Sequence, residues 1–288
     1  MSQKIYKKLF VIVGPTASGK TDYSISLAQK LNSPIISCDS RQIYRELKIG
    51  TAPPSEEQLA MVRHYFIFSH SIKDFYTAGK YEVEALALIE GLFKKYDNLV
   101  MVGGSGLYVE AVCTGLDNFP DSCGIVREKL TQRLKLEGVE SLRRDLKILD
   151  YESYMQIDLS NPQRVMRALE VTIATGKKFS SFKNNTTKVR DFIIEPIFLN
   201  PQRELLYNRI NERVDKMVKM GLVEEVYGLR EYRDLPSLKS VGYRELFDHF
   251  NGEISLDEAI DRIKINTRRY AKRQVTWFKN RPLFKSLF

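Results

Sequence analysis

The stretch that most constrains this chain is GPTASGKT at residues 14–21, which satisfies G-x-x-x-x-G-K-[ST]. Its surroundings matter as much as its letters. Leu9, Phe10, Val11, Ile12 and Val13 form a short apolar run before it, and Ile25, Leu27, Ala28 and Leu31 recur at helical spacing after it. Strand, glycine loop and helix in that order make a cradle for phosphate. Glycines let the backbone wrap an anion, successive N–H groups point inward, and the helix N-terminus adds its dipole. Lys20 offers a point charge and Thr21 a hydroxyl for Mg²⁺. The motif reads phosphate and is silent on which one. A nucleoside triphosphate and a prenyl diphosphate look alike to it.

Further short hydrophobic runs predict strands at residues 34–37, 99–102 and 192–199. Between the second and third strands, Val83, Leu86, Ala87, Ile89 and Phe93 predict a helix over residues 78–96. Alternating strands and helices argue an α/β fold with a parallel sheet covered on both faces. The pattern then changes. Residues 117–188 show helical periodicity and no convincing strand. The expected architecture is a P-loop core over residues 1–116 and 190–288, interrupted by a helical insertion domain over residues 117–189. Residues 177–188, rich in Lys, Ser, Thr and Asn, read as an exposed loop. After Pro201, Leu205, Leu206, Ile210, Val214 and Met217 mark one face of a helix, with Arg209, Arg213 and Lys216 on another.

Charge is unevenly placed. The chain of 288 residues carries 45 Lys and Arg against 36 Asp and Glu. Residues 262–288 hold nine basic and no acidic residues, so the remainder is balanced at 36 of each sign. Tyr270, Trp277 and Phe278 interleave with that charge, which suits a polyanion such as nucleic acid. Cys38, Cys113 and Cys123 form no C-x-x-C pair and, with His64, His70 and His249, no zinc spacing; all six read as structural or surface groups. No apolar stretch approaches the length of a membrane span and no leader pattern is visible, so a cytoplasmic protein is expected.

Two other segments fall where strands end. Asp39, in SCDSRQIY, follows the second strand, at the sheet edge where ligands bind. A carboxylate there suits three tasks: holding metal-bound water, acting as a general base, or capping a helix. GGSGLY at residues 103–108 follows the third strand and puts the Ser105 hydroxyl at the same edge.

GPTASGKT, DSRQIY with IGTAPPS, and GGSGLY combine with NPQRVMRALEV (161–171), SVGYREL (240–246) and RRYAKRQVTWFK (268–279). Together they resemble the tRNA dimethylallyltransferase (tRNA isopentenyltransferase) family over nearly the whole chain. That resemblance implies transfer of a dimethylallyl group from dimethylallyl diphosphate to N6 of adenosine 37 beside the tRNA anticodon. It implies Gly14, Pro15, Thr16, Ala17, Ser18, Gly19, Lys20 and Thr21 as the donor site, with Thr21 on Mg²⁺ and Thr16 against substrate. It implies Asp39 as general base, with Thr16 and Lys20 also catalytic. It carries RNA contacts onto Asp39, Ser40, Arg41, Gln42, Ser105, Arg127, Gln163, Arg164, Val165, Met166 and Arg167. The basic aromatic C-terminal pattern adds Lys272, Arg273, Gln274 and Trp277. The insertion would clamp the anticodon stem-loop, and the chain is expected to act as a monomer away from membranes.

Departures from the family pattern are local. Ser105 stands where Thr is usual, Pro53 where Lys is common and Tyr65 where a second His is usual. PDSCGIVR replaces a more acidic segment before Arg127. For the leaving diphosphate, Arg203 and Arg213 are both candidate partners. Two other readings share the phosphate loop: a small-molecule kinase, and an adenylate isopentenyltransferase acting on free nucleotide. A pure RNA-binding module would leave GPTASGKT and Asp39 without a task.

Overall fold

The computed structural model describes residues 7–120, 123–184 and 187–287. The first six residues, Asp121 and Ser122 of the PDSCGIVR segment, and Asn185 and Thr186 lie outside them. The chain divides into two compact units, Met1–Thr114 with Val189–Phe288, and Gly115–Lys188.

The first unit opens with β1 (Lys8–Val13), α1 (Lys20–Lys30), β2 (Ile35–Ser37), α2 (Glu56–Met61), β3 (His64–Tyr65), α3 (Ala78–Phe93), β4 (Asn98–Gly103) and α4 (Gly106–Cys113). The second unit consists of α5 (Gly124–Glu137), α6 (Val139–Leu149), α7 (Tyr151–Gln156) and α8 (Pro162–Thr175), with a 3₁₀ turn at Phe179–Phe182. The chain returns to the first unit through β5 (Ile193–Phe198), α9 (Arg203–Lys219), α10 (Leu222–Gly228), α11 (Tyr243–Phe250), α12 (Leu256–Lys279) and α13 (Pro282–Lys285).

The five strands form one parallel sheet in the order β3-β2-β4-β1-β5, with Val11 of β1 opposite both Met101 and Pro196. Pro196 lacks an N–H for the ladder and is tolerated because β5 is an edge strand paired only with β1. Alternate side chains of β1 enter opposite layers. Leu9, Val11 and Val13 pack with Tyr81 and Ile89 of α3 and Val109 of α4. Ile12 packs with Ile25 and Ala28 of α1. Both faces are therefore covered, which is why these strands read as continuous hydrophobic runs.

A separate cluster joins Val214, Leu222, Tyr243, Leu246 and Ile263 of α9 to α12 with Ile43 and Leu47 beyond β2. It fixes the C-terminal helices against the loop that carries Asp39. The helical unit has its own core, in which Leu130, Leu142, Leu146, Val165 and Leu169 are almost wholly buried. Each such side chain contributes roughly 1.5–3 kcal/mol by leaving water.

Three sequence expectations change. Val83 is 70% exposed, because the buried stripe of α3 runs through Tyr81, Ala85 and Ile89. Leu205 faces outward, since Leu206, Ile210 and Val214 make the inner face of α9. Residues 177–188 are more than an exposed loop: buried Ser180 donates from its N–H and hydroxyl to Asp150 at 2.8 and 2.9 Å. Burial alone would raise the Asp150 pKa, but hydrogen bonds from Ser153 and Ser180 outweigh it and hold it below the usual carboxylate value. Among the described residues no helix is long and apolar enough to cross a membrane.

Candidate active site

The carboxyl ends of β1, β2 and β4 meet at one cavity of about 530 Å³. That is the sheet edge at which a parallel α/β core binds ligands. The loop after β1 supplies Thr16 to Thr21 of its wall, the loop after β2 supplies Asp39, Ser40, Arg41 and Gln42, and β4 ends there in Gly103 and Gly104.

Gly14 is required by space: a Cβ would sit 2.3 Å from the carbonyl oxygen of Leu199, just past β5. Ala17 takes φ of 63° and Gly19 φ of 88°, the left-handed conformations that fold the loop back on itself. Gly19 then caps α1, whose first-turn amides have no internal acceptor. Lys20 Nζ donates to the Pro15 carbonyl at 2.6 Å. Burial lowers its pKa to about 8; the Asp39 carboxylate opposes this and Arg213 adds to it. Burial outweighs the compensation from Pro15 and Asp39, so an anion arriving beside this lysine is stabilised by it.

Asp39 is fixed by an Asx turn. Its Oδ1 accepts from the N–H groups of Arg41 and Gln42 at 2.9 and 3.3 Å. Among the described residues Oδ2 takes no hydrogen bond from a neighbour, so one oxygen remains for a ligand. Ser105 Oγ accepts from the Ser40 N–H at 2.9 Å and donates to Ser40 Oγ at 3.0 Å, tying the β4 turn to the Asp39 loop. Gln42 Nε2 donates to the carbonyls of Thr51 and Ala52 at 3.2 and 3.0 Å, which fastens the far wall. That wall is fixed from outside by Glu225 of α10, which accepts from the N–H groups of Lys48, Ile49 and Gly50 at 2.8, 2.7 and 2.9 Å. Tyr243 completes the clamp, donating to Glu225 at 2.7 Å.

Helices α9 and α12 close the cavity. Arg213 Nη1 donates to Thr16 Oγ1 at 3.2 Å, and burial pulls the arginine below its ordinary pKa. Arg203 lies elsewhere, exposed and stacked on Tyr207 at 5.1 Å. From α12, Tyr270, Arg273 and Gln274 line the cavity; burial, chiefly, pushes the Tyr270 phenol up to about 12. In all, Lys20, Arg41, Arg213, Lys239, Arg244 and Arg273 line this space against the single carboxylate of Asp39. Such a balance selects a polyanion.

A metal would find a limited donor set. Among the described residues no cluster of three His, Cys, Asp or Glu side chains could hold an ion unaided. Thr21 and Asp39 offer one hydroxyl and one carboxylate at the cavity. That set fits Mg²⁺, which keeps several waters and takes its other oxygens from a bound phosphate.

Residues 42–281 match the family described as IPP transferase. A tRNA dimethylallyltransferase from Christiangramia forsetii is 47% identical over 277 residues, covering 96% of this chain and 92% of its own. The chain belongs to the IPP transferase family. The solved full-length tRNA isopentenylpyrophosphate transferase of Bacillus halodurans is similar at 37% identity and TM-score 0.70, over 96% of this chain and 88% of that one. A eukaryotic dimethylallyltransferase acting on tRNA is similar at TM-score 0.80 and 27% identity, over 98% of this chain and 72% of that one.

Within this IPP transferase fold the residues expected to touch RNA divide into two kinds. Ser40, Arg41, Gln42 and Arg273 line the cavity, and Lys272 is exposed on α12. In the helical unit Gln163 and Arg164 are exposed, while Arg127 and Arg167 each donate to Glu170 at 3.1 Å. Four others are buried or engaged within the fold. Val165 and Met166 are 0% and 2% exposed, and their side chains belong to the helical core. Gln274 is 5% exposed and bonded within the fold. Trp277 is half-buried against the Gly106 backbone, with the Arg281 guanidinium 4.2 Å over its ring.

The sequence does not single out Lys239 and Arg244, which line the cavity, or Glu225 and Glu170, whose partners include residues far along the chain. His64, expected from the sequence to be a structural or surface group, lines the cavity. Its Nδ1 lies 2.8 Å from the Val62 carbonyl and so carries the hydrogen, leaving Nε2 buried without a partner among the described residues.

Proposed function

We propose that this chain transfers the dimethylallyl group of dimethylallyl diphosphate to N6 of adenosine 37 in tRNA. One observation carries the reading: a single cavity joins the phosphate loop, the open oxygen of Asp39 and Arg273 of α12, the helix whose exposed cations continue outside it. A kinase of small molecules gains nothing from the exposed cations that continue along α12.

In this reaction the C1–O bond of the donor breaks, a C1–N6 bond forms, and diphosphate leaves. Lys20, the first-turn amides of α1 and Arg213 take the charge that develops on the leaving oxygens. Thr21 would hold Mg²⁺, which when bound supplies further positive charge to the diphosphate. The adenine amine is a weak nucleophile because its lone pair is shared with the ring. Asp39 Oδ2 accepts the N6 proton as the C–N bond forms, a contribution of about 10²- to 10⁴-fold. Its Oδ1, held by two amides, keeps the carboxylate aimed. Thr16, bonded to Arg213, borders the donor.

The acceptor base must leave the anticodon stack to reach Asp39, at a cost of a few kcal/mol. Ser40, Arg41, Gln42, Lys272 and Arg273 supply backbone and base contacts that offset this cost, with Ser105 holding the Ser40 loop in place. The helical unit binds the anticodon stem-loop through Arg127, Gln163, Arg164 and Arg167. Its buried Glu170 holds Arg127 and Arg167 at fixed angles, so less side-chain entropy is lost when phosphates arrive.

The test is mass spectrometry of nucleosides from unmodified tRNA after incubation with the protein, Mg²⁺ and dimethylallyl diphosphate, with AMP in parallel. Prenylated adenosine in the tRNA and little product from AMP is the expected result. Product from AMP alone would convert the reading to an adenylate transferase, and product from neither would remove the prenyl donor.

A further inference from the structure

Two glycines of GGSG are explained by what lies above them. A Cβ on Gly104 would stand 2.1 Å from Gln274 Nε2, and one on Gly106 would stand 2.1 Å from Trp277 Nε1. At Gly104 and Gly106 the turn after β4 carries no side chain because α12 occupies that space. Gln274 does more than fill it. Its Oε1 accepts from the Thr16 N–H at 2.8 Å and its Nε2 donates to the Gly104 carbonyl at 2.9 Å. Both ends of one buried amide are satisfied, so its orientation is set, and it bridges the ends of neighbouring strands β1 and β4.

We infer that Gln274 is a positioning residue for the diphosphate, holding the phosphate loop open from the RNA-side helix. The inference rests on the diphosphate reading of that loop. Thr16 lies in the loop between Pro15 and left-handed Ala17. Tying down its N–H leaves the following amides, at the start of α1, for phosphate. Without Gln274 the Thr16 amide would seek another acceptor, and the loop around Ala17 would relax from its strained form. The same contact gives α12 a second task. Its exposed Lys272 and cavity-facing Arg273 precede Gln274 directly, so the segment that meets RNA also shapes the donor site.

The experiment measures inorganic pyrophosphate affinity of the full chain by calorimetry, anticodon stem-loop affinity without donor, and the two substrate KM values. Gln274→Met keeps the volume and removes both hydrogen bonds. It is expected to weaken pyrophosphate binding and raise the donor KM about tenfold, with stem-loop affinity and tRNA KM within twofold of wild type. A loss of global stability would move both substrates together. Gly104→Ala is the second variant, since its methyl displaces Gln274; it is expected to weaken pyrophosphate binding in the wild type and to add nothing in a Gln274→Ala background. Unchanged pyrophosphate affinity in both single variants overturns the inference. So does a loss confined to the stem-loop, which would make Gln274 an RNA contact, or an equal effect of Gly104→Ala in both backgrounds. If wild type moves no dimethylallyl group to tRNA, the proposed function fails, while the pyrophosphate cycle still decides the place of Gln274.

Discussion

Lys20 and Asp39 face the same cavity and carry opposite demands. Lys20 is destabilised as a cation by burial, so its proton is held only to about pH 8 in the ligand-free protein. A bound diphosphate restores it. After allowance for the ionisations of pyrophosphate itself, its affinity is therefore expected to fall as pH rises through about 8, by up to about tenfold per pH unit until the pKa of the complex is reached. Calorimetry in buffers of different ionisation enthalpy would detect the matching proton uptake above pH 8; its absence would mean that Lys20 does not meet the diphosphate. Asp39→Ala removes the proton acceptor and the Asx turn together. It is expected to lower single-turnover transfer by about 10²- to 10⁴-fold, with tRNA affinity largely kept. Transfer at the wild-type rate in that variant would exclude Asp39 as the base.

Loops in this protein are held by helices distant in sequence. The Glu225 carboxylate of α10 gathers three consecutive amides of residues 48–50, and Tyr243 of α11 holds the carboxylate. Gly50 must be glycine there, because a Cβ would lie 2.5 Å from the Tyr243 hydroxyl. Tyr243→Phe removes one hydrogen bond to a charged acceptor. An unfolding free energy lower by about 1–2 kcal/mol is expected in urea titration, with a raised KM because the wall at Thr51 loosens. In the helical unit Asp150 plays the corresponding part, capping α7 through Ser153 and binding Ser180. Its folded pKa lies below its unfolded one, so its stabilisation is present above about pH 4 and lost as pH falls through the folded value. Asp150→Asn is expected to cost about 1–2 kcal/mol at pH 6 and progressively less in more acid solution. A pH-independent cost would show that ionisation of Asp150 contributes nothing.

At the scale of the molecule, charge distribution governs affinity. The excess of positive charge falls within residues 262–288, and α12 displays Arg262, Arg269, Lys272 and Arg273 as exposed cations. Binding to tRNA is expected to weaken steeply with salt, since each neutralised phosphate releases counterions. Lys272→Ala with Arg273→Ala is expected to reduce the slope of log K against log salt by roughly one to two. An unchanged slope would place the RNA surface elsewhere.

Local chemistry made part of this legible in the sequence. GPTASGKT with its flanking strand and helix names a phosphate cradle, because close backbone approach, left-handed φ and a helix start all depend on neighbouring residues. The alternation of apolar runs names a parallel sheet for the same reason: period and burial are local properties. The partners of Gln274, Glu225, Glu170 and Arg213 escape such reading, although Gln274 and Arg213 are singled out by the sequence. All four look like polar helix residues until α12, α10, α8 and α9 are packed, for their partners lie elsewhere in the chain: Thr16 for Gln274 and Arg213, the amides of residues 48–50 for Glu225, and Arg127 with Arg167 for Glu170. Val165 and Met166 show the converse, residues inside a motif that tertiary packing turns inward. What the sequence by itself determined was which atoms can cradle an anion and which segments form a sheet. Only the tertiary structure decided which distant side chains hold that cradle open, because hydrogen-bond geometry between segments exists only once they are brought together.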